Sequence, residues 1–300
     1  MRLIRSSETK TAAGAESSPG ADDIDHLEAA LAATLTALMV RLTARTAARL
    51  ASPKTRKGTR HWQAAYDTDL RVGVKEINVE QAVDVQRWQE ESEQAAYPIV
   101  AAAATTTAAA LLADLGSPDM PVADIVAAIV TLIVTLIGMA AATQALRLAR
   151  LLRQRDSEGV SMQELQQAAR DYASTLTSWS EATATRAATA TINGARATAA
   201  QAWADAAPGR TVVGMWNTRQ DSLVRPSHVL AQSQKRPVGE SFRVGESWLR
   251  FPGDPDGPPH EIYGCRCWLS HRSTVTGRFV PTPEGARTRM TRSQREEVAS

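Results

Sequence analysis

From residue 24 to about residue 51, large apolar side chains return every three or four positions: Leu27, Leu31, Leu35, Leu38 and Val40. That period is helical, so one face of the segment is written for burial. Asp22 and Asp23 precede it, where a carboxylate suits the positive end of the helix dipole. Arg41, Arg45 and Arg49 recur every four residues on another face, and the basic stretch 52–60 breaks the pattern. A second helix is predicted from Asn78, a suitable N-cap, to about Leu115, with a kink at Pro98. Gly116, Ser117, Pro118 and Pro121 end it, and a third helix runs from about Val122 to about Arg155. Ser161 and Glu164 have capping-box spacing before a further helix. That helix, or a successor to it, carries the pattern through residues 175–205, with Trp179, Ile192 and Trp203 as its large anchors.

Past Pro208 the period changes. Nine of the fourteen prolines fall from Pro208 onward, among short alternating runs at Thr211–Trp216, Glu240–Val244, Ser247–Phe251 and Cys265–Leu269. These predict short strands joined by turns. The expected fold class is α+β: a long alanine-rich helical region, residues 23–207, followed by a small mixed α+β module, residues 208–275. Residues 1–22 are expected to be a disordered lead-in and 276–300 a basic flexible tail.

Composition sharpens this division. Alanine supplies much of the 43% hydrophobic fraction and aromatic residues are only 5%, so the helices are long and thinly packed. The net charge of +2 divides into −3 before residue 208 and +5 from there on. Neither half is dense enough in cations for a dedicated nucleic-acid face, which leaves only weak DNA contact through the basic tail. The two cysteines, Cys265 and Cys267, stand at i, i+2, too close for an unstrained bridge, and fit a reducing setting. The first twenty residues hold no apolar core of a secretory signal.

One helical stretch admits two readings. Residues 125–142 are eighteen in a row without a charge, and Arg147, Arg150 and Arg153 follow, as in a membrane span with a cytosolic flank. Thr131, Thr135, Gly138 and the alanines temper its hydrophobicity, and a central helix enclosed by neighbours on all sides is the expectation.

Candidate chemistry concentrates after Pro208. Thr218 and Asp221 follow a strand that ends at Trp216 and are placed to satisfy turn amides. Arg225 is placed to pair with Asp221 or a later carboxylate, and Pro226 suits the first position of a short helix that carries His228. Residues 251–259 form a rigid turn; Asp254 and Asp256 lack the ligand ladder of a calcium loop. On a strand, Cys265 and Cys267 share a face. With His228, and with His260 or His271 as a fourth ligand, they make a candidate structural zinc site. Cys267, His228 and Asp221 also contain the residue types of a thiol nucleophile, a base and an orienting acid. No nucleophile elbow, phosphate-binding glycine loop or H-E-x-x-H helix supports an enzyme.

The order Trp216, Thr218, Asp221, Arg225, His228, then Phe242-Arg243-Val244-Gly245, Pro252-Gly253-Asp254-Pro255, Glu261 and Cys265-Arg266-Cys267 resembles the C-terminal module of the phage Mu F-like minor head proteins, also called head morphogenesis proteins. Gly264 stands where that family usually has asparagine, and residues 186–194 echo in part its Arg-Thr-Glu element. The resemblance implies a non-catalytic minor capsid protein of a tailed bacteriophage, made in the host cytoplasm and residing inside the capsid near the portal vertex. Its implied partners are the portal protein and the major capsid or scaffolding protein; no cofactor is required, the structural zinc at His228, Cys265 and Cys267 being a candidate only, and no membrane is expected. It acts in head assembly and in DNA packaging or ejection. The alternatives are a single-span membrane protein that displays the module, and a small zinc-dependent enzyme.

Overall fold

A computed structural model describes residues 19–51, 78–206 and 209–273. Its architecture is α+β, with a long helical region and a small C-terminal sheet module. The basic break at 52–60 and the tail at 276–300 lie outside the described residues, as do residues 1–18 of the lead-in.

Helix α1 spans Pro19–Leu50, α2 Val79–Ala82, α3 Val85–Asp114, α4 Val122–Ser157 and α5 Met162–Asp205. Helix α1 thus begins at Pro19, inside the stretch expected to be disordered. Pro19 suits the first turn because that turn's N–H has no intrahelical partner. The helix expected to be continuous from Asn78 is instead two. Asn78 caps α2 by accepting from the Gln81 N–H, and Asp84 opens α3 by accepting from the Arg87 N–H. Pro98 sits inside α3 without ending it. The Ser161–Glu164 capping box forms in both directions, and α5 is one uninterrupted helix of 44 residues.

The four long helices run up, down, up and down, because successive stretches of each fall alternately in two buried clusters. One cluster takes Ile24–Leu35 of α1, Ala96–Leu112 of α3, Val126–Ile137 of α4 and Ala184–Trp203 of α5. The other takes Leu38–Leu50, Trp88, Ala141–Leu152 and Leu165–Leu176. Fully buried Ala96, Ala104, Ala108, Ala184, Ala188, Ala195 and Ala199 supply small contact surfaces between the helices.

Among the described residues, helix α4 is covered along one side only. Leu132, Met139 and Leu146 are 38%, 55% and 54% exposed on the other, so this helix is not enclosed on all sides as its composition suggested. By length and composition, Ala21–Leu50, Val79–Asp114 and Val122–Ser157 are each apolar enough to cross a membrane.

The module sits at the first cluster's end of the bundle. Strands β1 (Val212–Asn217), β2 (Lys235–Pro237) and β5 (Trp268–Ser273) form an antiparallel sheet in the order β2-β1-β5. Strands β3 (Phe242–Val244) and β4 (Ser247–Leu249) form a separate hairpin, with α6 (Pro226–Ala231) and α7 (Pro259–Ile262) in the connections. Val212, Trp216, Phe242, Leu249, Phe251, Cys267 and Leu269 belong to the same buried cluster as the bundle end, so module and bundle share one core.

Candidate metal centre

Helix α5 is the platform on which the module is built. From Ala187 to Ala195 every residue is buried, polar ones included. Thr189 Oγ1 donates to the Cys265 carbonyl at 2.7 Å. Asn193 Nδ2 donates to the Cys267 carbonyl at 3.1 Å, and its Oδ1 accepts from the Leu269 N–H at 2.8 Å. These bonds fix the chain path 265–269 against the helix. The turn after β4 comes equally close. A Cβ on Gly253, at φ +77°, would lie 2.9 Å from Thr189 Cγ2 and 3.1 Å from the Ala190 nitrogen, so only glycine fits.

Along this path Cys265 and Cys267 point to one side. They precede β5 rather than lying in it, since the strand begins at Trp268, but the expected alternation holds: both sulfurs are buried and Arg266 is not. Opposite them stands His228 on α6, whose first helical residue is Pro226 as the sequence predicts. His228 Nδ1 lies 3.3 Å from Cys267 Sγ and 3.7 Å from Cys265 Sγ. The ligand atoms of all three residues lie within 4.8 Å of one another, so the group can hold a metal ion. His228, Cys265 and Cys267 are each 2% exposed.

The far side of the imidazole is held by a buried carboxylate. Glu261 Oε2 accepts from His228 Nε2 at 3.0 Å and from Ser227 Oγ at 2.8 Å. With Nε2 donating, Nδ1 keeps its lone pair for the sulfur side, the tautomer a metal ligand needs. Gly245, in the β3–β4 turn at φ +59°, leaves room for this carboxylate, since a Cβ there would lie 2.8 Å from Glu261 Oε1. Trp216 packs edge-on to His228 at 5.8 Å between ring centroids and leans on Phe242 at 5.6 Å.

Without a metal, the charges divide unevenly. Cys267 beside it holds the Cys265 thiol well below its usual range, aided by His228 and opposed by burial. Cys265 and burial together push the Cys267 thiol well above its own. Burial opposes protonation of His228, but Cys265 and Glu261 outweigh it and raise its pKa. These directions favour negative charge on the Cys265 sulfur and a proton on His228, buried charges whose desolvation a bound cation would relieve.

The other expected participants lie elsewhere. His260 is exposed on α7, and His271 lies on β5 facing Gly214 of β1; neither supplies a fourth ligand. Asp221 does not reach His228. It accepts from the Leu223 N–H, a turn amide as expected, and pairs with Arg266 at 2.7 Å. The acid–base partner of His228 is therefore Glu261, and the Cys267–His228–Asp221 arrangement does not form. Arg225 binds the backbone carbonyls of Glu261 and Tyr263 rather than Asp221. Thr218 satisfies no turn amide; its N–H and hydroxyl both donate to Gln232 Oε1. Asp254 and Asp256 both pair with Arg250, and Asp254 also accepts the Arg250 and Asp256 N–H groups, so these carboxylates brace a turn.

Sequence reasoning missed Thr189, Asn193, Ser227 and Gln232. Asn193 carried the one available signal: an amide side chain in mid-helix amid alanine and threonine, where it lowers helix propensity without a local cap to form. In comparisons with protein-family models, curated proteins and solved structures, the chain matches none.

Proposed function

We propose that this chain is a non-catalytic structural protein of a tailed-bacteriophage head, of the Mu F-like kind, whose module is stapled by zinc at His228, Cys265 and Cys267. One observation carries the reading. Seven of the residues on which the resemblance rests, Trp216, Arg225, His228, Gly245, Glu261, Cys265 and Cys267, meet around one buried centre. Around tetrahedral zinc, bonds of about 2.3 Å to sulfur and about 2.0–2.1 Å to nitrogen set N···S near ~3.6 Å and S···S near ~3.8 Å. The two N···S separations, 3.3 and 3.7 Å, bracket the first value. Such an ion would supply cross-linking and neutralise the thiolates; Glu261 orients the imidazole, and burial keeps water and substrate away from the sulfurs. Only three protein ligands meet here, so what favours a structural role is burial, which shuts substrate out of the fourth position.

Docking on the portal, with further contacts to the major capsid or scaffolding protein and weak DNA contact through residues 276–300, follows from the resemblance. The test is co-expression with the portal protein of the same phage, followed by size-exclusion chromatography. Co-elution in a ring-sized complex is the expected result; a chain that elutes alone removes portal docking.

A second reading, a membrane-associated chain, draws on the uncovered apolar side of α4 and the three span-length helices. Retention in the pellet after alkaline carbonate extraction would favour it over the head-assembly role.

A further inference from the structure

Beside the module, the bundle surface opens into a trough of about 500 Å³. Met139 and Ala140 of α4 line one side, Trp179 and Ala182 of α5 the other, and Tyr263 and Gly264 join them from the turn after α7. Met139 is 55% exposed and Tyr263 51% exposed, although both are large and apolar. A smaller cavity of about 80 Å³ adjoins the trough, sharing Leu136, Thr183 and Arg186 with it and reaching inward to Ile133, Ala190 and Pro255. The trough is therefore an apolar channel with a side-chain-sized niche.

Its charge has one sign. Arg147 and Arg186 line it, and among the described residues no aspartate or glutamate does. The Arg186 guanidinium lies over the Tyr263 ring at 5.0 Å from its centroid, and among the described residues neither arginine has a carboxylate partner. Tryptophan, tyrosine, methionine and arginine around a concave surface are the residue types enriched where proteins bind one another.

We infer that this trough is the docking groove for an amphipathic helix of a partner protein. That helix has an acidic polar face, and one of its apolar side chains enters the niche. Shape and charge select this occupant over the others. The chain's own segments outside the described residues are net positive, +1 for 1–18, +3 for 52–77 and +2 for 274–300, and so do not complement the two arginines. A membrane surface is flat and would leave the niche empty, whereas a helix about 10 Å across lies in a channel and projects single side chains from it. The groove is a binding site whether or not its partner is a portal.

The test uses the full chain and a fluorescein-labelled helical peptide of about five turns, leucines along one face and glutamates on the rest, with a lysine-for-glutamate version as control. Anisotropy titration should show the glutamate peptide binding about tenfold or more tighter than the lysine peptide, with an affinity that falls as salt rises. Arg147→Glu with Arg186→Glu should reverse that preference, and Met139→Asp should weaken both peptides. Arg147 and Met139 are exposed and Arg186 partly so, so circular dichroism and melting of the variants should match the parent chain. Equal binding of both peptides, or binding indifferent to the double charge reversal, would overturn the inference. So would a double variant that abolished self-association in light scattering, or co-sedimentation with anionic phosphatidylglycerol vesicles, without changing peptide binding. Glutamate-peptide binding by a chain that fails to co-elute with the portal would keep the groove and remove the portal reading alone.

Discussion

The carboxamide of Asn193 and the backbone of Leu269 lie 2.8 Å apart, joining the middle of the longest helix to the strand that leaves the cysteine pair. The same side chain also donates to the Cys267 carbonyl, so one residue on α5 holds both ends of a three-residue path. All the groups involved are buried. Asn193→Ala should therefore strand a backbone N–H and a carbonyl away from water. A loss of about 2–4 kcal/mol is expected, since each unsatisfied buried polar group costs about 1–3 kcal/mol. Urea unfolding measures it. A loss below about 1 kcal/mol would mean that water reaches the Leu269 amide and that the module does not depend on this bond.

If a metal cross-links α6 to the segment before β5, then removing it loosens the module from the end where Asn193 cannot help. Purified under reducing conditions, the chain should carry one zinc by elemental analysis. A strong chelator should lower its melting temperature by about 5–10 °C, the scale of a shift of about 2–3 kcal/mol in a chain of this size. Cys267→Ser should start from the lower temperature and show no response to the chelator. Glu261→Gln should retain the metal but bind it about 10–100-fold more weakly, because its role is to orient the imidazole. A metal-free parent chain that melts at the same temperature with and without chelator would leave Cys265 and Cys267 as buried thiols only.

How far these residues were legible varies with the physics that places them. The long helices were readable because an apolar residue every three or four positions fits the turn of a helix and not the alternation of a strand. The Ser161–Glu164 box formed as its spacing required. The break at Val83–Asp84 was not readable, since Asp84 looks like any solvent-facing acid until its side chain is seen accepting the Arg87 N–H. Strand β2 was missed because Lys235-Arg236-Pro237 lacks alternating apolar residues; Arg236 is nonetheless buried. The Cys265–Cys267–His228 group could be named from residue types, and the structure brings it together. Its supporting acid could not: Asp221 is seven residues from His228 and Glu261 thirty-three, and only the fold turns the nearer one toward Arg266. His260 and His271 failed as ligands for the same reason, because spacing does not say which way a side chain faces.

Two glycines with the same backbone twist should respond unequally to alanine. Gly159, at φ +75°, ends the α4–α5 turn with open space where a Cβ would go. Gly253, at φ +77°, would place its Cβ against Thr189 and the backbone of α5. The left-handed conformation costs an alanine about 1–2 kcal/mol at either site. Gly253→Ala adds a clash with helix backbone that cannot move away, so its total should exceed that of Gly159→Ala by about 1–3 kcal/mol. Denaturant titration of the two variants side by side decides this. Equal losses would show that the 252–255 turn floats free of α5.

Acid should unfold this chain earlier than its carboxylates alone require, and His271 gives the reason. Its imidazole lies across the sheet from Gly214, where the missing side chain leaves it space, and its Nδ1 is closed off from water with no partner among the described residues. Burial, with the Arg196 cation nearby, lowers its pKa to about 3. In the unfolded chain the value returns to about 6.5. Between these limits the unfolded chain binds a proton that the folded chain refuses. The stabilising contribution is therefore complete above about pH 6.5 and falls by about 1.4 kcal/mol per pH unit as the solution is acidified toward 3. His271→Gln removes the titration and keeps a polar side chain of similar reach. Its stability deficit relative to the parent chain should shrink by about 1.4 kcal/mol for each unit between pH 6 and pH 5, a range in which most carboxylates in both proteins remain charged. Parallel pH–stability curves for the two chains would mean that His271 reaches water and titrates normally.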